Sequence, residues 1–279
     1  MIHSRSLRMV LRGGTALTLL FIYFPLFILA LYAFNRSRVQ RWPIDGLSTK
    51  WLEAAYNSPG AREALFTSVK VGLIATGVAL LLGSLAAFAV ARYRFFGREA
   101  VSFLVVIPIA LPGIATGMAL NSAFREAPVI GGIEFGTMTI AIGHATFCIV
   151  VVYNNVLARL RRTSRNLEEA SADLGATPVQ TFRHVTFPAI RTALLAGALL
   201  AFALSFDEII VTTFTTGGSG VKTLPIWIFQ NYSRPNQGPV VNAVGLFAIL
   251  LSIIPVYLAQ RLTEEEVVSP AAGAAAATQ

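Results

Sequence analysis

The sequence predicts an all-α integral membrane protein of about six transmembrane helices, and three observations predict it. Of 279 residues, 55% are hydrophobic and only 13% are charged, with a mean hydropathy of +0.65, a profile foreign to soluble domains. The apolar residues gather into runs near 14–34, 67–91, 101–120, 137–157, 192–214 and 239–260, each close to the ~20 residues that a helix needs to cross a bilayer. The cations sit at the ends of these runs and form no stripe interleaved with aromatics. The 22 Lys and Arg against 14 Asp and Glu therefore describe membrane topology and argue against nucleic-acid binding.

Taken in order, the first run follows Arg5, Arg8 and Arg12 and resembles the start of a signal peptide. Its length and the lack of an A-x-A site make it an uncleaved first span. Residues 35–66 form a long external segment in which Ser48 is expected to cap an amphipathic turn carrying Trp51, Leu52 and Tyr56, its two aromatics suited to the membrane interface. In the third run, Pro108 and Pro112 free backbone carbonyls that only a neighbouring helix or a watery cavity can satisfy, so a packing kink and a pathway role both stay open. Cys148 is the only cysteine; it excludes an intrachain disulfide, and its apolar setting makes it a small buried filler. Asn121, His144 and Asn154 are expected to hydrogen-bond to neighbouring helices. From Thr263 the chain reads TEEEVVSPAAGAAAATQ, a low-complexity tail expected to be disordered over 262–279, which leaves 1–261 as the membrane domain.

Orientation follows from the asymmetry of Lys and Arg. A cytoplasmic N-terminus places Arg92, Arg94 and Arg98, then Arg159, Arg161, Arg162, Arg165, Arg183 and Arg191, and finally Arg261, on the inside. Outside remain Arg125, Lys222 and Arg234, with an opposing cluster at Arg36, Arg38 and Arg41. The later loops favour both termini inside, and the polar stretch 158–191 is then cytoplasmic.

Within that stretch, residues 168–188 read EEASADLGATPVQTFRHVTFP. Leu167, Ala170, Ser171 and Leu174 recur at i, i+3, i+4 and i+7, which predicts a short helix with one small, apolar face, while Glu168, Glu169 and Asp173 lie elsewhere on it. Gly175 ends that helix in the left-handed cap conformation. Thr177, Pro178 and Gln180 form a capping box with proline at the first helical position. Val179, Phe182 and Val185 give the second helix an apolar side, and Pro188 is expected to break it before the fifth span. A helix, a tight turn and a second helix with a small-residue face, acids and stiff geometry can receive another protein and transmit a push.

The stretch resembles the cytoplasmic loop of ABC importer permeases, whose pattern is E-A-A, three residues, G, nine residues, then I-x-L-P. Glu169, Ala170 and Ser171 fill the triplet, Gly175 the glycine, and Val185, Phe187 and Pro188 the ending, in register. Ser171 for alanine, Val185 for isoleucine and Phe187 for leucine are mild departures. The resemblance, which covers roughly 10–261, implies the binding-protein-dependent ABC importer permease fold with a cytoplasmic coupling helix pair. It implies that Glu168, Glu169, Ala170, Ser171, Asp173, Gly175 and Pro188 serve ATPase coupling. It also implies the partners: an ABC ATPase dimer, a second permease subunit forming a heterodimer, an extracytoplasmic solute-binding protein and the lipid bilayer of a bacterial inner membrane. ATP and Mg belong on the ATPase; this chain is expected to hold no cofactor or metal and to catalyse no reaction.

The substrate is read from the fifth run. Asp207 and Glu208 lie there as adjacent acids, and a charge at the centre of a spanning helix costs ~2.5–3.5 kcal/mol on insertion scales. They should face a cavity, a polar partner or a seam between subunits, and since neighbouring helical positions diverge by ~100°, only one is expected to face a narrow pathway. The wording SFDEIIVTTF followed by TLPIWIFQNYSRPNQGPVVNAVG resembles permeases of spermidine/putrescine-type importers. An acid beside Phe206, Phe214 and Trp227 suits a linear polyamine through ion pairing and cation–π contact. Substrate-pathway candidates are therefore Phe206, Asp207, Glu208 and Trp227. GABA-like amino acids, opines or another organic cation remain open, and the external TLPIWIFQNYSRPNQ segment is a candidate gate or binding-protein contact, or an ordinary interfacial re-entrant turn.

Other classes fare worse. GGSGVKT at 217–223 lacks the G-K juxtaposition of a phosphate-binding loop because Val221 intervenes. His3, His144 and His184 are too scattered for a zinc site, and no nucleophile motif appears. An ion-coupled secondary transporter would need coupling groups and an interrupted repeat, and the acids here are confined to one span.

Overall fold

The computed structural model describes residues 5–126, 134–254 and 257–258; the tail expected over 262–279 lies outside them. The helices are α1 (Arg5–Ala33), α2 (Lys50–Tyr56), α3 (Pro59–Arg92), α4 (Arg98–Ala110), α5 (Gly113–Glu126), α6 (Thr137–Arg162), α7 (Asn166–Asp173), α8 (Pro178–Thr181), α9 (Phe187–Phe206), α10 (Ile210–Thr215) and α11 (Leu224–Tyr232), followed by α12 (Gly238–Ile254). A π-helical turn, Phe182–Thr186, joins α8 to α9. No named strand occurs among the described residues. The chain divides into two compact units, Met1–Arg62 with Trp227–Leu251, and Glu63–Ile226 with Ser252–Gln279.

In the first unit, α1 is exposed along most of its length, with Leu17, Phe21 and Phe27 open, as befits an apolar helix whose solvent is lipid. The segment after it is held by local polar bonds. Arg36 and Ser48 donate their backbone N–H to Gly46 and Phe34, and the Trp51 indole donates to the Asn35 carbonyl at 2.7 Å. The turn expected at Ser48 is α2, with Thr49 at its cap position and the Ser48 hydroxyl accepting from the Lys50 N–H. Trp51 is buried, whereas Tyr56 is exposed. At α12, a side chain on Gly245 would meet Leu29 of α1 at 3.3 Å.

The second unit is organised on α6, whose Cys148, Val152, Tyr153, Val156 and Leu160 form one apolar core with Ala75, Ala79 and Ala87 of α3 and Ile190 and Ala201 of α9. Helices meet here through small residues. A Cβ on Gly83 would stand 2.8 Å from the Ile149 carbonyl oxygen, and one on Gly197 3.3 Å from the Val152 Cα, the close approach expected where van der Waals packing holds spans together. Cys148 fills part of this core, as expected, its thiol donating to the Ala201 carbonyl.

Two of the six expected spans are interrupted. Among the described residues, four helices are long and apolar enough to cross a membrane: Leu7–Ala33, Pro59–Arg92, Thr137–Arg162 and Pro178–Phe206; the bent pair α4 and α5 passes the same test only when taken together as one span. The expected single span 101–120 turns through 104° between Ala110 and Gly113. Pro112 lacks an N–H and drives Leu111 into extended backbone, φ −78° and ψ 144°, which ends α4. The expected fifth span 192–214 stops at Phe206, and α10 restarts after a three-residue break. The sixth run, 239–260, corresponds to α12, which is shorter than a span where it is described.

A further correction concerns Pro188. The helix does not break there and instead runs from Pro178 to Phe206. The π turn accommodates the proline: the Phe187 N–H bonds back five residues to the Phe182 carbonyl, and widening the helix one turn ahead relieves the clash a proline ring makes with the carbonyl four residues earlier.

Candidate functional site

Two interrupted places carry most of the residues singled out by sequence, and both lie in the second unit. The first is the turn between α7 and α8. Gly175 adopts φ +83°, its N–H bonds to the Ala172 carbonyl, and the Ala176 N–H reaches the Ser171 carbonyl at 3.1 Å. This pattern closes a helix C-terminus on a left-handed residue, which glycine adopts without penalty. Thr177 then caps α8 as predicted: its hydroxyl accepts from the Gln180 N–H, and the Gln180 amide oxygen accepts from the Thr177 N–H at 2.8 Å. The Ser171 and Thr181 hydroxyls bond across the turn at 3.0 Å.

The outer surface of this turn is apolar and open. Leu167, Leu174 and Val179 are 55%, 90% and 75% exposed, and Glu169, Ala170, Asp173 and Gly175 are exposed beside them. Glu169 pairs with Arg165 one turn earlier, at 3.3 Å. Glu168 turns the other way. Its carboxylate accepts from Arg92 Nε and Nη2 of α3 at 3.1 and 2.9 Å and from the Thr186 hydroxyl of the π turn at 3.1 Å. Phe182 stacks obliquely on Phe88 of α3 and on Phe187, centroids 5.8 and 6.1 Å apart. The Arg159 guanidinium of α6 donates to the Ala189 carbonyl at 2.7 Å, binding α6 to the start of α9.

The second place is the break between α9 and α10. Asp207 and Glu208 do not lie within a helix. Asp207 ends α9 and is exposed. The Glu208 carboxylate accepts from the Val211 N–H at 2.8 Å, satisfying one of the orphan donors at the start of α10. The ends are held together by His144 of α6, fully buried, whose two ring nitrogens reach Ser205 before the break at 2.7 Å and Thr212 after it at 2.8 Å. The other half-helix, α5, lies against α10. A Cβ on Gly117 would fall 2.7 Å from the Phe214 ring, and the Asn121 amide donates to the Phe214 carbonyl at 2.6 Å. Thr139 donates to the Thr215 carbonyl at 2.8 Å. Thus Asn121 and His144 bond to neighbouring helices as expected, whereas Asn154 is exposed and lines a 410 Å³ cavity with Asn155, Arg159, Arg162 and Thr192.

Trp227 belongs to the first unit, where it is buried with its indole nitrogen 3.0 Å from the place a Cβ on Gly60 would occupy. Phe206, Asp207 and Glu208 belong to the second. The residues 217–223 form a turn in which Gly217, Gly218 and Gly220 take positive φ, between helices and with no strand before it. No cluster of three His, Cys, Asp or Glu side chains able to hold a metal comes together among the described residues. Sequence reasoning gives His144, Ser205 and Thr212 no common role. Their only signal is a set of lone polar residues in apolar runs, whose partners are far apart in the chain.

With this geometry in place, the comparisons with known proteins are specific. Residues 79–267 match the family described as binding-protein-dependent transport system inner membrane component. The chain is 33% identical over 255 residues to the putrescine transport system permease protein PotI of Escherichia coli (strain K12), covering 88% of this chain and 89% of that one. It is 32% identical over 246 residues to the spermidine/putrescine transport system permease protein PotC of Haemophilus influenzae, covering 88% and 93%. Among solved structures, a chain of a bacterial ABC transporter involved in the import of the acidic polysaccharide alginate superposes with a TM-score of 0.64 at 17% identity, covering 95% of this chain and 99% of that one. A chain of the inward-facing MetNI methionine ABC transporter gives 0.55 at 21% identity, covering 78% and 99%. At those identities the likeness is one of fold.

Proposed function

The chain belongs to the family of binding-protein-dependent transport system inner membrane components, and on that premise we propose that it is the permease subunit of an ATP-driven importer of a polyamine, putrescine or spermidine. The observation that carries the coupling half of this reading is the turn at Gly175: a helix pair stiffened by its own caps, presenting Leu167, Leu174 and Val179 outward. Exposed apolar groups of this kind, rimmed by Glu169 and Asp173, mark a surface for another protein. In this reading Ala170, Ser171 and Gly175 allow close approach by an ATPase subunit, and Glu168 positions the turn from behind. Pro188 belongs to the π-widened helix that carries motion into α9. ATP and Mg sit on the ATPase dimer, and this chain contributes no catalytic group.

The polyamine half rests on the names of the relatives at 32–33% identity and on Asp207, an exposed acid where α9 stops, with Phe206 beside it. A carboxylate and an aromatic ring are the groups a linear polycation recognises. Glu208 is engaged in capping α10, so Asp207 is the pathway acid of the pair. The chain is read with both termini in the cytoplasm, paired with a second, different permease subunit and fed by an external solute-binding protein. ATP drives transport in this scheme because it binds one global state better than the other; only differential affinity moves a population.

The test is co-purification of the tagged chain from its native cell in mild detergent, followed by uptake of labelled putrescine into vesicles. Recovery of an ATPase and a second permease, with ATP-dependent uptake that Asp207→Asn weakens, is the expected result. Recovery of this chain alone, with uptake driven by an ion gradient, would sink the importer reading. ATP-dependent uptake of GABA in preference to putrescine would overturn the substrate only.

A further inference from the structure

We infer that Arg92, Glu168 and Thr186 form a latch that delivers the motion of the 166–188 turn to α3, so that the turn acts on α3 as well as on α6 and α9, to which the chain joins it. The inference rests on the proposed function and names positioning residues within it.

The chain itself joins the turn to α6 on one side and to α9 on the other, the latter as an unbroken helix from Pro178 to Phe206. Nothing in the covalent order joins it to α3, whose last residue, Arg92, is 76 positions from Glu168. The latch supplies that connection. Arg92 donates Nε and Nη2 to one oxygen of Glu168 and its Nη1 to the Leu160 carbonyl at 3.2 Å, while Thr186 donates to the same Glu168 oxygen. Four segments therefore converge on one carboxylate and one guanidinium: the end of α3, the end of α6, α7 and the π turn. The Phe88–Phe182 ring contact lies on the same pair of elements, α3 and the π turn.

The environment makes the latch stiff. The Arg92 and Glu168 side chains are only 14% and 20% exposed, whereas the neighbouring Arg165–Glu169 pair is 62% and 63% exposed. A shielded, charge-assisted bond with several donors holds its geometry, and an exposed pair is screened and adds little. Arg92 is also the C-terminal residue of α3, where the helix dipole favours a cation. A displacement of α7 thus pulls on a helix of 34 residues, about 51 Å long at 1.5 Å per residue, and reaches its far end at Glu63, which is exposed on the first turns.

The experiment reads that far end directly. Glu63→Cys is introduced into the tagged chain, in which Cys148 is buried. The co-purified complex is reconstituted, and the rate of labelling by a water-soluble maleimide is measured with and without ATP and Mg. With the latch intact, ATP is expected to change the rate about fivefold, the scale of a typical coupling between sites. Arg92→Gln is expected to leave ATPase co-purification unchanged and to abolish the ATP response at Glu63→Cys. The charge swap R92E/E168R restores part of it, which a general loss of packing would not do.

An ATP response equal in the Arg92→Gln and latch-intact chains overturns the latch and leaves the importer reading standing. No ATP response with the latch intact sinks both. Loss of the ATPase from Glu168→Gln but not from Arg92→Gln overturns the latch too, because Glu168 would then be touching the ATPase itself. Should the charged substitutions fail to insert, Thr186→Val keeps the ion pair and removes one bond to it; a reduced response supports the latch and an unchanged one overturns it.

Discussion

The turn at Gly175 and the break at Asp207–Ile209 are both places where a helix stops and restarts, and they are held in opposite ways. The first is closed by neighbours in the chain: Ser171, Ala172, Thr177 and Gln180 satisfy its backbone within a few residues, and its apolar side chains are left outside. The second is partly capped by Glu208, but its two ends are held together by His144, 61 and 68 positions from its partners. A locally closed turn can present a surface without losing its shape. A remotely closed break keeps its shape only while the surrounding helices stay packed.

Four substitutions break or sharpen that contrast. The largest effect is expected from Gly175→Val. Nothing lies within 4 Å of a Cβ added at Gly175, so the damage comes from the positive φ, where a β-branched residue is an outlier. The chain should still insert, and ATP-driven uptake should fall more than about tenfold for a cost above about 1.4 kcal/mol in the coupled state; normal uptake would separate the turn from coupling. His144→Ala comes next and acts on the fold. It leaves the Ser205 and Thr212 hydroxyls without their shared partner and opens a cavity, costing about 2–4 kcal/mol, read as a fall in the detergent-solubilised melting temperature. An unchanged melting temperature would mean that the break is closed by something else.

Gly117→Ala probes the same region from α5. The added methyl would fall 2.7 Å from Phe214, and overpacking of this kind costs about 1–3 kcal/mol, again visible in thermal melting. Smallest is Thr177→Ala, which removes one side of a capping box for about 1 kcal/mol. Faster amide exchange over 179–181 with unchanged exchange in α10 is the expected signature. Equal loosening of both places would erase the distinction between them.

The legibility of the two regions in the sequence follows the same line. The α7–α8 turn is predicted residue by residue, down to Thr177 and Gln180, because caps and left-handed glycine depend on positions within one turn of each other. Pro188 misleads, since its conflict with the preceding turn can be relieved by a π turn, an adjustment that needs the packing of Phe182 and Phe187 to hold it. The break at Pro112 is marked by its proline, but the angle is not, because the direction α5 takes is decided by Gly117 and Asn121 meeting Phe214. Asp207 and Glu208 are visibly costly inside a span, yet the solution, ending the helix before them, cannot be read from their neighbours.

The sequence by itself determined the membrane class, the approximate places of the apolar helices, the α7–α8 turn and the family pattern that runs through it. Each of these rests on periodicity, length or contacts a few residues apart, which a linear order displays directly. Only the tertiary structure decided that Glu168 faces inward to Arg92, that His144 bridges the break after α9, and that Asp207, not Glu208, is left open. Those outcomes depend on which of several polar side chains meet across tens of residues in a low-dielectric interior, where an unpaired group is costly and the choice of partner is made by packing.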